Sequence, residues 1–299
     1  MNRPEPLTKL LASLAAQSER VGRIIVIDGA ENAEPVVKRF SSELPVEYFK
    51  CHPPSQLRQR NLGIDQLNQE NQLVALLDDD IVVHDEAIGR MIAFWNESPP
   101  STAGVCFNVV NGLQPRRPLM ARIRNAPVAP GRVFRSGNTT GVSHASRDCR
   151  VQWLPGGATV WRKDVLLRRR HEDIKSRWAI AEDVIFSYPI GKTEPLYVCA
   201  NARVDHVHVS DYTVKRLDYY HGRTQSLWSY HFVKSNDDLS PSLFLATLIS
   251  RALGKFIVRG VLRRDRPSRE FAKGQASALR TIAAGWIRSR GSAELLQEF

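Results

Sequence analysis

The chain has 299 residues, 42% of them hydrophobic and 24% charged, with a formal net charge of +11. That composition fits one large or two small globular domains and excludes disordered and fibrous chains. The positive charge is uneven: residues 112–150 hold eight arginines against the single acid Asp148, and residues 241–299 carry eleven Lys/Arg against four Asp/Glu. Both stretches should attract polyanions, but the cations are not interleaved with stacking aromatics and no nucleic-acid motif is present, so nucleic acid is not the expected partner.

In chain order, Leu7, Leu10, Leu11 and Leu14 mark one face of an opening helix, and residues 23–27 read as a short buried strand ending at Asp28-Gly29. A helix follows over about residues 34–43, a strand over 46–50 and a helix over 56–68. The apolar run from Leu73 to Leu77 delivers Asp78, Asp79 and Asp80, and residues 81–83 close the segment. Residues 85–95 read as an amphipathic helix with Ile88, Met91, Ile92 and Trp95 inward. This alternation predicts an α/β fold with a mostly parallel sheet, whose ligands bind at the carboxyl ends of the strands, where Asp28 and the Asp triplet lie. Residues 112–150 are too long and irregular for an ordinary connection and read as a functional or mobile loop. Structure resumes over residues 151–161, and about the last 60 residues look helical. The expected division is residues 1–110, residues 111–230 and a basic helical extension over 231–299.

Three adjacent carboxylates at a strand end repel one another, so such a cluster persists where a divalent cation or cationic partner offsets the charge. A metal-phosphate site is the leading reading, and a solvated acidic turn is the plain alternative. Residues 204–208 alternate as a strand, so that His206 and His208 share a face opposite Asp205; two such imidazoles suit a metal, and packed or solvated histidines are the alternative. Glu182 and Asp183 stand between residues 178–181 and an apolar run, where a helix begins. Four cysteines with no CxxC pair fit reduced thiols and a cytoplasmic compartment, and no stretch reaches the roughly 18 uninterrupted apolar residues of a spanning helix, so membrane association is expected to be peripheral, on the inner face.

The order Val26-Ile27-Asp28-Gly29, Arg60-Asn61-Leu62-Gly63-Ile64, Leu77-Asp78-Asp79-Asp80, Pro155-Gly156-Gly157 and Ala181-Glu182-Asp183 resembles the family 2 glycosyltransferases of GT-A fold, over about residues 2–230. The resemblance implies an inverting enzyme that uses Mg²⁺ or Mn²⁺ to move a sugar from a UDP- or dTDP-sugar donor to a hydroxyl of a saccharide or lipid-linked acceptor, in cell-surface polysaccharide or glycolipid synthesis. It implies that Asp28 meets the donor base, that Asp78 or Asp79 meets the ribose, and that Asp80 ligates the metal, with His206 favoured over His208 to complete the coordination. Arg60 and Asn61 start or line a helix near the donor, Gly156 and Gly157 admit the sugar close to backbone, Asp183 is the base and Glu182 binds the acceptor. Tyr219, Tyr220, Trp228 and Tyr230 either stack on sugar or pack in the core.

The resemblance also implies an apolar first strand directly before residues 2–7. Upstream DNA is therefore expected to encode, in frame, about ten residues dominated by Val and Ile, as a buried parallel strand requires, ending in a Thr-Tyr-like turn. Two other readings remain: a nucleotidyltransferase acting on sugar phosphates, for which no glycine-rich phosphate loop follows the first strand, and a catalytically impaired homologue that binds partners through its basic C-terminal helices. Phe244, Leu245, Leu248, Ile249 and Leu253 form an apolar stripe with Arg251, Lys255, Arg259, Arg263 and Arg264 nearby, which suits an anionic membrane surface; helices packed on the catalytic domain are the alternative.

Overall fold

A computed structural model describes residues 4–70, 72–111, 129–174, 179–207, 214–262 and 264–297. Two compact units interleave along the chain: one comprises Met1–Arg132, Thr140–Glu172 and Phe186–His208, the other Val133–Thr139, Asp173–Ile185 and Val209–Phe299.

The first unit opens with helix α1 (Pro4–Ala15), whose Leu7, Leu10, Leu11 and Leu14 are all buried, as their i, i+3, i+4, i+7 spacing requires. Strand β1 (Ile24–Asp28) leads through α2 (Glu34–Phe40) to β2 (Val46–Lys50), and the two strands pair in parallel from Ile24 opposite Val46 to Asp28 opposite Lys50. Helix α3 (Gln56–Asp65) starts at Ser55, whose side chain accepts the Arg58 N–H. It carries the chain to β3 (Leu73–Leu77), the Asp turn and β4 (Ile81–Val83). Helix α4 (Ala87–Glu97) buries Ile88 and Met91, while Ile92, expected inward, is 39% exposed and faces a cavity.

A second sheet runs β3, β7 (Ala158–Arg162), β5 (Gly104–Val109), β8 (Leu196–His206) and β4, with β6 (Cys149–Val151) also on β8. It is mixed where a mostly parallel sheet was expected: β5 and β8 are parallel, but β7 lies antiparallel between β3 and β5, and β4 and β6 run antiparallel to β8. The short apolar runs could not reveal direction, because a strand fully buried between two neighbours reads alike in either sense. A core of α1, α2, α4 and strand residues such as Val105, Phe107 and Val204 fills one face, and a second around Trp161, Leu166, Phe186 and Leu196 fills the other. Helix α5 (Lys163–Arg168) closes that second layer with Val165 and Leu166.

Helix α6 (Glu182–Gly191) begins in the second unit, which is otherwise helical: α7 (Val214–Lys234), α8 (Pro241–Gly254) continued by π-helical turns over Lys255–Leu262, and α9 (Arg266–Ile287). Helices α7 and α9 approach at two glycines, since a Cβ on Gly222 would collide with the Phe271 carbonyl and one on Gly274 with that of Tyr219. Trp228 and Tyr230 of α7 are buried, which gives them to the core instead of a sugar, whereas Tyr220 is exposed. Of the long irregular segment, residues 112–128 lie outside the described residues. Residues 133–139 form an ordered turn: Phe134 and Asn138 are hydrogen-bonded, and the Arg135 carbonyl accepts the Ser240 N–H at 2.7 Å.

Candidate active site

The Asp turn sits at the carboxyl end of β3, and each of its first and third carboxylates has a cationic or protonatable neighbour. The Arg60 guanidinium, on the face of α3 well inside the helix instead of at its start, lies 3.1 Å from Asp78 Oδ1. Gly157, in the turn with Gly156 before β7, accepts the Asp78 N–H through its carbonyl at 2.8 Å, and a Cβ there would strike the Asp78 carboxylate. Backbone approach thus explains one of the two glycines directly.

Asp80 is buried, and His206 Nε2 lies 3.1 Å from its Oδ1. The backbone makes that juxtaposition: β4 pairs with β8 so that Ile81 is opposite His206, and the Val207 N–H reaches the Asp80 carbonyl at 2.8 Å. Asn111, which the sequence did not mark, clamps the histidine by accepting the His206 N–H at 2.8 Å and donating to its carbonyl at 3.2 Å. Asp205, on the opposite face, pairs with His84 Nε2 at 3.1 Å. His208 lies outside the described residues. Among those residues no three Asp, Glu, His or Cys groups converge on one point, and of the ligands expected from the sequence Asp80 and His206 are the two brought together.

Two of the residues expected at the donor also hold the fold. The Asp28 carboxylate accepts the N–H groups of Ala30, Asn32 and Ala33 at 2.7–2.8 Å and the Tyr48 hydroxyl at 3.0 Å. Three of these donors meet Oδ2 and one meets Oδ1, so Asp28 clamps the β1–α2 loop while Oδ1 keeps room for one more donor, since each carboxylate oxygen has about two lone-pair sites. Burial alone would raise its pKa, but those donors together hold it below the usual carboxylate value, and burial with the neighbouring Asp28 charge pushes the Tyr48 phenol up to about 12. The Asn61 side chain donates to the His171 carbonyl at 2.9 Å and accepts its N–H at 3.0 Å. Asn61 therefore fastens residue 171 to α3.

His171 itself went unnoticed in the sequence, where a lone histidine gives no signal. It is buried and stacked on Phe186 with ring centroids 4.1 Å apart, and burial, then the Arg60 and Arg169 charges, lower its pKa to about 3. The imidazole is neutral at physiological pH.

Glu182 and Asp183 form the first turn of α6, as expected, following Ala181 in a left-handed backbone conformation (φ 67°). Glu182 is buried, and the half-buried Asp183 accepts the Val184 N–H at 2.8 Å. Carboxylates at that end offset the exposed N–H groups and the positive end of the helix dipole.

A sheet with helices on its faces and an Asp turn at a strand's carboxyl end defines a nucleotide-sugar transferase of GT-A architecture, and comparisons agree. The solved structure of residues 1–349 of TarS from S. aureus aligns over 97% of this chain and 89% of its own, with a TM-score of 0.51 at 15% identity. GalNAc-T7, solved with UDP, GalNAc and Mn²⁺, aligns over 93% of this chain with a TM-score of 0.55 at 12% identity, and the match spans 54% of that longer chain. No curated protein matches. Residues 1–154 match the family described as glycosyl transferase family 2. The chain belongs to the family 2 glycosyltransferases.

Proposed function

We propose that this transferase moves a sugar from a nucleoside-diphosphate donor, UDP- or dTDP-linked, to an acceptor hydroxyl with inversion at the anomeric carbon. One observation carries the reading: the Asp turn after β3 has a guanidinium on Asp78 and an imidazole on Asp80. A buried carboxylate beside an imidazole is an oxygen and nitrogen donor pair suited to Mn²⁺ or Mg²⁺, ions that usually add substrate phosphates to one or two protein carboxylates. Asp80 and His206 would hold the ion, which when bound neutralises charge developing on the leaving diphosphate. The Mn²⁺ in the GalNAc-T7 structure supports the same reading.

Asp78 or Asp79 then meets the ribose, and Arg60, held by Asp78, supplies a cation to the donor. Inversion demands in-line attack, so a base must take the acceptor proton as the new bond forms, a contribution of about 10²–10⁴-fold. Asp183 is that base and Glu182 a contact for the acceptor. The acceptor is a saccharide or lipid-linked saccharide in cell-surface polysaccharide or glycolipid synthesis, met at the inner face of an anionic membrane.

Release of nucleoside diphosphate from a panel of sugar nucleotides, with and without Mn²⁺, tests the activity. Asp183→Asn should lose about 10²-fold or more in transfer while binding donor within a few-fold of wild type. Near-normal turnover by that variant removes Asp183 from the mechanism.

A further inference from the structure

Three consecutive residues of α3, Gln59, Arg60 and Asn61, each bond to a different part of the fold. We propose that Gln59 and Asn61 are positioning residues: they lock the rotation of α3 about its own axis and so aim the Arg60 guanidinium at the Asp turn. This rests on the transferase reading, in which Arg60 supplies a cation to the donor.

Helix geometry makes such a lock necessary. α3 has ten residues, about three turns, and a helix that short has little stability of its own in water. Gly63 inside it weakens it further. The Ser55 cap fixes where the helix starts but not how far it is turned, which only contacts along its sides can set. For a side-chain tip about 6 Å from the axis, a turn of about 20° is a shift of about 2 Å. Arg60 lies 3.1 Å from Asp78 Oδ1, and a hydrogen bond stretched to about 3.6 Å is already lost.

Two faces of the helix are held, one on either side of Arg60. At about 100° per residue, Gln59 and Gly63 share the face turned to β1. There the Gln59 Nε2 donates to the Ile27 carbonyl at 2.8 Å, and a Cβ on Gly63 would lie 3.5 Å from Ile27 Cγ1. Leu57, Asn61 and Ile64 share the other face, where Leu57 and Ile64 are buried. Asn61 bonds twice to one residue, donating to the His171 carbonyl at 2.9 Å and accepting its N–H at 3.0 Å, which fixes direction as well as distance. Residue 171 is itself held: its ring stacks on Phe186, and the neighbouring Arg170 donates to the Asn61 carbonyl at 3.2 Å and to Asp65 Oδ1 at 2.7 Å. Turning α3 in either direction would break one of these two sets of bonds.

The target of Arg60 is fixed as firmly. Asp78 donates its N–H to the Gly157 carbonyl at 2.8 Å, and its carboxylate lies against the Gly157 Cα where a Cβ would strike it. The Arg60 side chain is 9% exposed. A long side chain held in place beforehand has less freedom to lose when it meets phosphate, so the lock acts on affinity for the charged part of the donor.

Calorimetry with UDP or dTDP, whichever the wild type binds, and NMR titration with the matching nucleoside test this in Arg60→Gln, Gln59→Ala, Asn61→Ala and the two double variants that combine Arg60→Gln with a flanking change. Arg60→Gln should weaken the diphosphate about tenfold or more and the nucleoside little, because a bond to a charged group is lost. Gln59→Ala and Asn61→Ala should each weaken the diphosphate about three- to tenfold with the nucleoside unchanged, and neither should add to the loss in Arg60→Gln. Losses that add to that of Arg60→Gln, or that fall equally on diphosphate and nucleoside, overturn the positioning role and leave a structural one. So do flanking variants that bind diphosphate as the wild type does. Should one flanking variant not fold, the other decides. A wild type that binds neither diphosphate, or an Arg60→Gln variant of undiminished affinity, instead overturns the donor reading and the positioning role together.

Discussion

The Asp80–His206 contact sets a buried carboxylate 3.1 Å from an imidazole, a pair that can stand as a plain Asp–His contact or take a divalent ion, and a variant tells the two apart. If the pair holds a divalent ion, Asp80→Ala should abolish Mn²⁺-dependent binding of a nucleoside diphosphate in calorimetry while leaving weak, metal-independent binding. Unchanged Mn²⁺ dependence would assign the ion to other ligands. His171 makes a different prediction. Its folded pKa, lowered to about 3 by burial and then by Arg60 and Arg169, lies below the ordinary value of about 6.5. Between those two pH values the unfolded chain binds the extra proton, so the sign is fixed: stability rises with pH across the window, by up to about 1.4 kcal/mol per pH unit. Denaturant titrations of His171→Phe, which keeps a ring against Phe186, should show a flatter dependence from pH 4 to pH 6. An unaltered slope would mean that His171 is protonated in the folded protein.

Elements inherit their positions from such contacts, and Asp28 is the clearest instance. Its place at a strand end before a glycine was legible as a ligand position, but the sequence could not show that Tyr48, twenty residues on, and three N–H groups of the next loop would bond to the carboxylate. Asp28→Ala should therefore cost about 2–3 kcal/mol of stability, as loss of a charged multi-bond cap does. The pKa is lowered, so this stabilisation is complete above the ordinary carboxylate value of about 3.9 and is lost as pH falls through the folded value. Thermal melts of the wild type and variant should converge only in that acid range. A variant as stable as wild type at neutral pH would mean that these bonds do not hold the loop. The helices and strands up to residue 97 were readable because their apolar spacing is local. Ladder direction, the Asn111 clamp and the Asn61–His171 bond were not, because each depends on partners far away in the chain, 95 residues for Asn111 and His206 and 110 for Asn61 and His171.

For the molecule as a whole, the net charge of +11 favours approach to any polyanion, and the unit that includes Val209–Phe299 offers a specific surface for one. Helix α8 and the turns after it bury Phe244, Leu248 and Ala252, yet the other side is apolar too: Ile249, Leu253, Ile257 and Val261 are about half exposed and Leu262 is 73% exposed. At the end of α9, Trp286 and Ile287 are exposed, and the Trp286 indole N–H donates to the Tyr230 hydroxyl. Arg251 lies among these groups and Lys255 sits over the Phe271 ring. An apolar stripe bordered by cations and a tryptophan suits the interface of an anionic bilayer. Residues 241–262 are long and apolar enough to cross a membrane, but their buried side packs with α7 and α9, so the helix should lie along the surface. In sedimentation, the protein should partition onto phosphatidylcholine vesicles containing phosphatidylglycerol about tenfold or more better than onto phosphatidylcholine alone, since each cation near an anionic surface contributes about 1 kcal/mol. Leu253→Glu together with Ile257→Glu, both at exposed positions, should abolish that binding without lowering the thermal midpoint. Equal partitioning onto both kinds of vesicle, or none onto either, would assign the stripe to another protein surface, and a concentration-dependent dimer in sedimentation velocity would identify a second copy as its cover.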